Sequence, residues 1–139
     1  MERLKSYDYN TPMTSGAIYC AGKILSAPAT SSNTFGYMGF DHAHDLEQIL
    51  PAVSMVLDKS PETSFELFGS IPKPDELQRF GSRVRVIPPV REYSKFLEHL
   101  ANLKWAVGIC PLAPTPFNSL KANTKWVEYT ASGFVTIAT

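Results

Sequence analysis

From Phe35 onward, short apolar runs alternate with stretches whose apolar residues recur at helical spacing, and the runs are apolar almost without a break. A strand with one wet face alternates apolar and polar residues. A continuous run reads as a strand buried on both faces, the condition of a parallel sheet covered by helices on each side. Residues 34–39, 65–69, 84–87, 105–110 and 134–138 fit that description. Between them lie the helical patterns. Leu46, Ile49, Leu50, Val53, Val56 and Leu57 predict a helix over 45–59 with Asp45 as N-cap. Pro51 should bend it near the second turn, and Ser60-Pro61-Glu62 should end it. A short helix over 75–80 follows, then one over 93–103 carrying Phe96, Leu97, Leu100 and Leu103, then one over 124–132 ended by Gly133. The expectation is an α/β, Rossmann-like, doubly wound parallel sheet with right-handed crossovers and strand order 3-2-1-4-5.

Residues 1–33 do not share this pattern. They are rich in Ser, Thr, Ala and Gly and close on Ser26-Ala27-Pro28-Ala29-Thr30-Ser31-Ser32-Asn33, which reads as a linker or the remnant of a preceding segment. The folded domain is therefore expected over 34–139. With 44% apolar residues the chain can bury a core. Thirteen basic and thirteen acidic residues cancel, which argues against a global attraction to nucleic acid or anionic lipid. No run approaches ~18 apolar residues, so no transmembrane segment is expected. Met1 to Asn10 lacks the apolar run of a signal peptide. Cys20 and Cys110 build no disulfide framework, which fits a reducing, cytoplasmic setting.

In an open parallel sheet, ligands bind at the carboxyl ends of the strands. Those ends are residues 39–42, 69–70, 87–90 and 111–118, and glycine at 39 and 69 lets a ligand approach the backbone. Neither G-x-x-x-x-G-K-[ST] nor G-x-G-x-x-G occurs. Asp41-His42-Ala43-His44-Asp45 holds four competent metal ligands. His42 and His44 point apart at that spacing, however, and no distant partner stands out, so no metal site is expected. The cluster reads either as a helix cap with solvated histidines or as a set of phosphate contacts at a helix start. A second cluster runs from Asn118 through Ser119, Lys121 and Lys125 to Glu128. Spacings of four and three put Lys121, Lys125 and Glu128 on one face of a helix that begins early enough. Two ammonium groups and a carboxylate suit a diphosphate–ribose unit, and they equally suit a solvated surface. Cys110, on an apolar strand, reads as a buried thiol and His99 as exposed; Trp105 and Trp126 read as core or crevice wall.

From Phe35 to Thr139 the chain resembles the C-terminal, donor-binding domain of group 1 (GT-B fold) glycosyltransferases. The resemblance is carried by Phe35-Gly36-Tyr37-Met38-Gly39, Asp45-Leu46, Phe65-Glu66-Leu67-Phe68-Gly69, Tyr93-Ser94-Lys95-Phe96-Leu97 and Trp105-Ala106-Val107-Gly108-Ile109. Its most specific part is Pro111-Leu112, Phe117-Asn118-Ser119-Leu120-Lys121, Lys125-Trp126-Val127-Glu128-Tyr129 and Gly133, similar to a capsule and O-antigen subgroup. The resemblance implies a donor-nucleotide site for a nucleoside diphosphate sugar, bound as substrate with no further cofactor. Glu128 would bind the ribose, as the second acid of a Glu-x7-Glu pattern. Leu120 stands where the first acid would be, with Lys121 beside it to share that role. Gly39, His42, His44, Asn118, Ser119, Lys121 and Lys125 would face the diphosphate and sugar, and Val90 to Tyr93 matches the base-holding loop. The resemblance further implies a truncated domain, with an acceptor-binding N-terminal domain missing and any peripheral membrane contact made through it. A fragment without that domain would transfer nothing. A nucleotide-sugar epimerase of the same fold and a degenerate, non-catalytic interaction domain are the alternatives.

Overall fold

The computed structural model describes residues 32–40 and 43–139. The residues before Ser32, Cys20 among them, and Asp41 and His42 lie outside the described residues. Five strands form one sheet: β1 (Thr34–Gly39), β2 (Ser64–Gly69), β3 (Val84–Ile87), β4 (Val107–Cys110) and β5 (Val135–Ala138). All neighbours are parallel, and the order is β3-β2-β1-β4-β5. This is the Rossmann-like α/β architecture expected from the apolar runs. No helix among the described residues is long and apolar enough to cross a membrane.

The predicted helix over 45–59 is two helices, α1 (Ala43–Glu47) and α2 (Leu50–Lys59). Pro51 explains the break. It lies in the first turn of α2, where its missing N–H and fixed φ cost little, so the chain ends one helix and starts another instead of bending one. Asp45 is consequently no N-cap; it lies inside α1 and is buried. The predicted helix over 75–80 is a 3-10 segment, Asp75–Arg83, kinked at Gly81, where φ is 56°. Helix α3 spans Tyr93–Asn102, and α4 spans Thr124–Ala131, followed by Gly133 at φ 82°.

Two cores sandwich the sheet. On one face α1, α2 and the 3-10 segment cover Tyr37, Phe65 and Leu67 with Leu46, Val53, Leu57 and Leu77. On the other, α3 and α4 cover Met38 and Phe68 with Phe96, Leu97, Leu100, Trp105, Tyr129 and Phe134. Two glycines make room there. A Cβ on Gly36 would lie 2.3 Å from the Trp105 ring, and one on Gly108 would lie 2.5 Å from the Tyr129 ring. Gly36 and Gly108 are partners in register across β1 and β4, so the adjacent Trp105 and Tyr129 rings rest on bare backbone. The Tyr129 hydroxyl accepts from the Met38 N–H at 2.8 Å, tying α4 to the end of β1.

Glu66, on β2, is a charge within this core. It is 2% exposed; it accepts from the Trp105 indole N–H at 2.7 Å and pairs with Arg85. Arg85 comes from the neighbouring strand β3 and Trp105 from the loop before β4, so the buried carboxylate is satisfied and orients Trp105.

Candidate functional site

The carboxyl ends of the strands carry two polar assemblies, and the residues singled out in the sequence divide between them. The first centres on Asp45. Its Oδ1 accepts from the Ala113 N–H at 2.9 Å and from the Asn118 amide at 2.8 Å. The Lys121 ammonium stands 3.5 Å from Oδ2, and His44 Nε2 stands 3.4 Å from Oδ1. Burial pushes the Asp45 pKa up, but the Ala113 N–H, the Asn118 amide and the charges of Lys121 and His44 together outweigh it, so the pKa lies below the usual carboxylate value.

This assembly merges the two clusters that looked separate in the sequence. His44 and Asp45 come from α1; Asn118 opens the short 3-10 turn Asn118–Leu120 and Lys121 follows it. The Asn118 amide also donates to the Ala113 carbonyl at 2.9 Å, and the Thr115 hydroxyl accepts the Asn118 N–H at 3.1 Å, so Asn118 fastens the Pro-rich loop. Ser119 donates to the Pro116 carbonyl at 2.7 Å. Lys121 also lies over the Phe117 ring, 5.0 Å from its centroid. Helix α4 starts at Thr124, so Lys121 precedes it and does not share a helix face with Lys125 and Glu128.

The second assembly is a cleft of about 360 Å³ bounded by Gly39 and Phe40 at the end of β1, Val90, Arg91 and Tyr93 ahead of and opening α3, and Lys125 and Glu128 on α4. Five of the sequence-predicted residues meet here: Gly39, Val90, Tyr93, Lys125 and Glu128. Phe40 and Arg91, both exposed, join them without having been singled out. An aromatic residue directly after a strand-ending glycine was the signal available for Phe40. Gly39 pairs in register with Gly69, whose φ of 135° and 2.0 Å Cβ-position distance from the Gly39 carbonyl oxygen leave no room for a side chain.

Glu128 is buried, 5% exposed, and accepts from the Tyr93 hydroxyl at 3.1 Å. Burial raises its pKa, and the Tyr93 hydroxyl and the Lys125 charge offset this only in part. Proximity to a lysine is thus not enough to keep this carboxyl at an ordinary value. Lys125 reaches over the end of the sheet, its ammonium 3.1 Å from the Tyr37 hydroxyl and 4.4 Å from that ring's centroid. Burial lowers the Lys125 pKa, with Cys110, Asp45 and Glu128 pulling the other way.

Lys125 also borders a second hollow of about 410 Å³, lined with Cys110, Lys121, Asn123, Trp126 and Thr139. Thr124 and Lys125 border both hollows. Cys110 is buried with its pKa pushed up to about 11, which keeps it a thiol at neutral pH and makes it a poor nucleophile. Trp105 is core, whereas Trp126 is half exposed on the rim. His99 is exposed and stacks on Phe68 at 5.2 Å. Among the described residues, no group of three or more His, Cys, Asp or Glu is placed to hold a metal ion. Comparison with family models, with curated proteins and with solved structures finds no match for this chain.

Proposed function

We propose that this chain is the donor-nucleotide-binding domain of a glycosyltransferase that moves a sugar from a nucleoside diphosphate sugar to a hydroxyl acceptor in surface polysaccharide or glycoconjugate synthesis. The observation that carries the reading is the meeting of Gly39, Val90, Tyr93, Lys125 and Glu128, from three separate parts of the chain, around one cleft at the carboxyl ends of the strands. The substrate class and the reaction come from the resemblance in the sequence. The cleft supplies matching chemistry. Lys125 would neutralise diphosphate, Glu128 would accept hydrogen bonds from ribose hydroxyls, and the Tyr93 ring, half exposed at the mouth, offers a flat surface to a base. Gly39 lets the phosphates approach the backbone.

In this reading the domain contributes orientation of the donor and neutralisation of the leaving diphosphate. Acceptor binding belongs to a domain outside residues 34–139, and the enzyme works in the cytoplasm. Lys121 and His44, held beside Asp45, would act on the phosphates less directly than Lys125, because the buried carboxylate already balances part of their charge, and the Asn118 amide is engaged with Asp45 and the Ala113 carbonyl.

Isothermal titration with a panel of nucleoside diphosphates and nucleotide sugars tests the proposal. Binding is expected for at least one of them, and Glu128→Gln is expected to weaken it about tenfold or more, since a charged hydrogen bond is worth ~1.5–3 kcal/mol. Equal affinities for the two forms would remove Glu128 from the site, and no binding by the parent chain would remove the reading.

A further inference from the structure

The hollow of about 410 Å³ at the carboxyl ends of β4 and β5 carries charge of one sign. Lys121 and Lys125 border it, and among the described residues no Asp or Glu does. Two acids act on these lysines from outside it. Asp45 stands 3.5 Å from the Lys121 ammonium, longer than the ~2.7–2.9 Å of a tight charged hydrogen bond, and its other oxygen accepts from the Ala113 N–H and the Asn118 amide. Glu128 borders the other cleft, where it accepts from Tyr93. The Lys125 ammonium donates to the Tyr37 hydroxyl, a neutral partner, at 3.1 Å. The lysines also repel each other: burial lowers the Lys125 pKa most, and the charge of Lys121 lowers it further. An anion in the hollow would relieve that repulsion and accept charge-assisted hydrogen bonds from both.

Trp126 narrows the shape of that anion. It lines the same hollow and is 47% exposed. A pyranose can lay a face of C–H groups on an indole ring, whose π-cloud is negative, and keep its hydroxyls and any carboxylate at its edge. A neutral hexose would use the ring and bring no charge to the lysines. An inorganic anion would use the lysines and leave the ring. A sugar bearing a carboxylate uses both. We propose that this second hollow receives such a sugar, so that the donor is a nucleoside diphosphate uronic acid, its carboxylate beside Lys121 and its ring against Trp126. The proposal rests on the donor reading above and deepens it. The nucleoside lies in the cleft of Tyr93 and Glu128, and the sugar lies in the hollow that shares Thr124 and Lys125 with that cleft. Lys125, bordering both, is left to the diphosphate that links nucleoside and sugar.

The test is isothermal titration of the full chain with two matched pairs, UDP-glucuronate against UDP-glucose and GDP-mannuronate against GDP-mannose, repeated on Lys121→Met. In the pair whose nucleotide binds, the uronate is expected to bind at least about tenfold tighter than the hexose, the worth of one charged hydrogen bond. Lys121→Met should bring the two to within about twofold of each other while leaving the hexose affinity where it was. Equal affinities of the parent chain for uronate and hexose overturn the proposal, whatever the folding of the variant, and leave the donor reading standing. A variant that weakens both members of a pair alike also overturns it, and places Lys121 on the diphosphate. If neither pair binds, and uridine and guanosine diphosphates do not bind either, the donor reading falls and this proposal falls with it.

Discussion

Asp45 and Glu128 are both carboxylates at the carboxyl end of the same sheet, 0% and 5% exposed, and each has a lysine in its neighbourhood. Their pKa values move in opposite directions. The difference lies in the donors. Asp45 receives a backbone N–H and a side-chain amide at 2.9 and 2.8 Å, with the charges of Lys121 and His44 close by. Glu128 receives one phenolic hydroxyl at 3.1 Å. Burial penalises the charged form of both, and hydrogen bonds made to the charged form decide which acid overcomes the penalty. An acid whose donors are supplied by the protein holds the structure together. An acid facing a cleft with few donors of its own is suited to meet them on a ligand, which is the basis for assigning Glu128, and not Asp45, to the proposed donor.

The sharpest way to break this comparison is Asp45→Ala. It leaves the Asn118 amide and the Ala113 N–H without their acceptor and strands the nearby cationic groups. Removing one member of such a buried network costs on the order of 3 kcal/mol. Urea unfolding of both proteins should show the midpoint falling accordingly, with the loop 111–121 opening first by hydrogen exchange. Glu128→Gln should leave that midpoint within about 1 kcal/mol of the parent, since the amide oxygen still accepts from Tyr93 and a buried charge is lost. A large loss in Glu128→Gln and none in Asp45→Ala would invert the assignment.

A smaller effect separates the two acids by pH. Asp45, with its folded pKa lowered, contributes stability that is fully present above the unfolded carboxylate pKa and disappears as the pH falls through the folded value. Glu128, with its folded pKa raised, contributes stability present below the unfolded pKa and lost as the pH rises through the folded value. Unfolding midpoints followed from about pH 3 to pH 8 should therefore show a gentler acid-side decline in Asp45→Asn, and a decline on the rising side that is missing in Glu128→Gln.

The smallest effect is expected for Lys121→Met. The ammonium stands 3.5 Å from Asp45 on a side chain still 20% exposed, so its loss should cost less than about 1 kcal/mol. Combined with Asp45→Asn, the two losses should sum to less than their separate values, because one network carries both. Strict additivity in the unfolding data would separate Lys121 from Asp45.

Part of the site could be read before any coordinates. Gly39 is singled out by its place at a strand end, Lys125 and Glu128 by residue type and spacing, and Val90 and Tyr93 by the resemblance, and all five border one cleft. Phe40 and Arg91 were passed over because a single aromatic or basic residue in a loop carries no periodic signal. Lys121 was grouped with Lys125 on a spacing of four; that grouping required a helix which in fact begins three residues later, at Thr124. Asp45 was read as a helix cap because local spacing reports only on near neighbours. Its hydrogen-bond acceptance is settled by residues 68 and 73 positions away.

By itself, then, the amino-acid sequence determined the parallel α/β sheet and its strand order. Near-continuous apolar runs mark strands buried on both faces, period-3.6 runs mark the helices that cover them, and connection handedness leaves few arrangements of five such strands. It also marked the end of the sheet at which ligands would gather. Tertiary structure alone decided which of the polar residues at that end satisfy one another and which are left facing the cleft. It decided as well that Pro51 divides a helix and that Val135 and Ile137 stand open on β5. These outcomes turn on distances between segments far apart in the chain. Periodicity records that a side chain is buried; which donor or surface meets it there is set by packing.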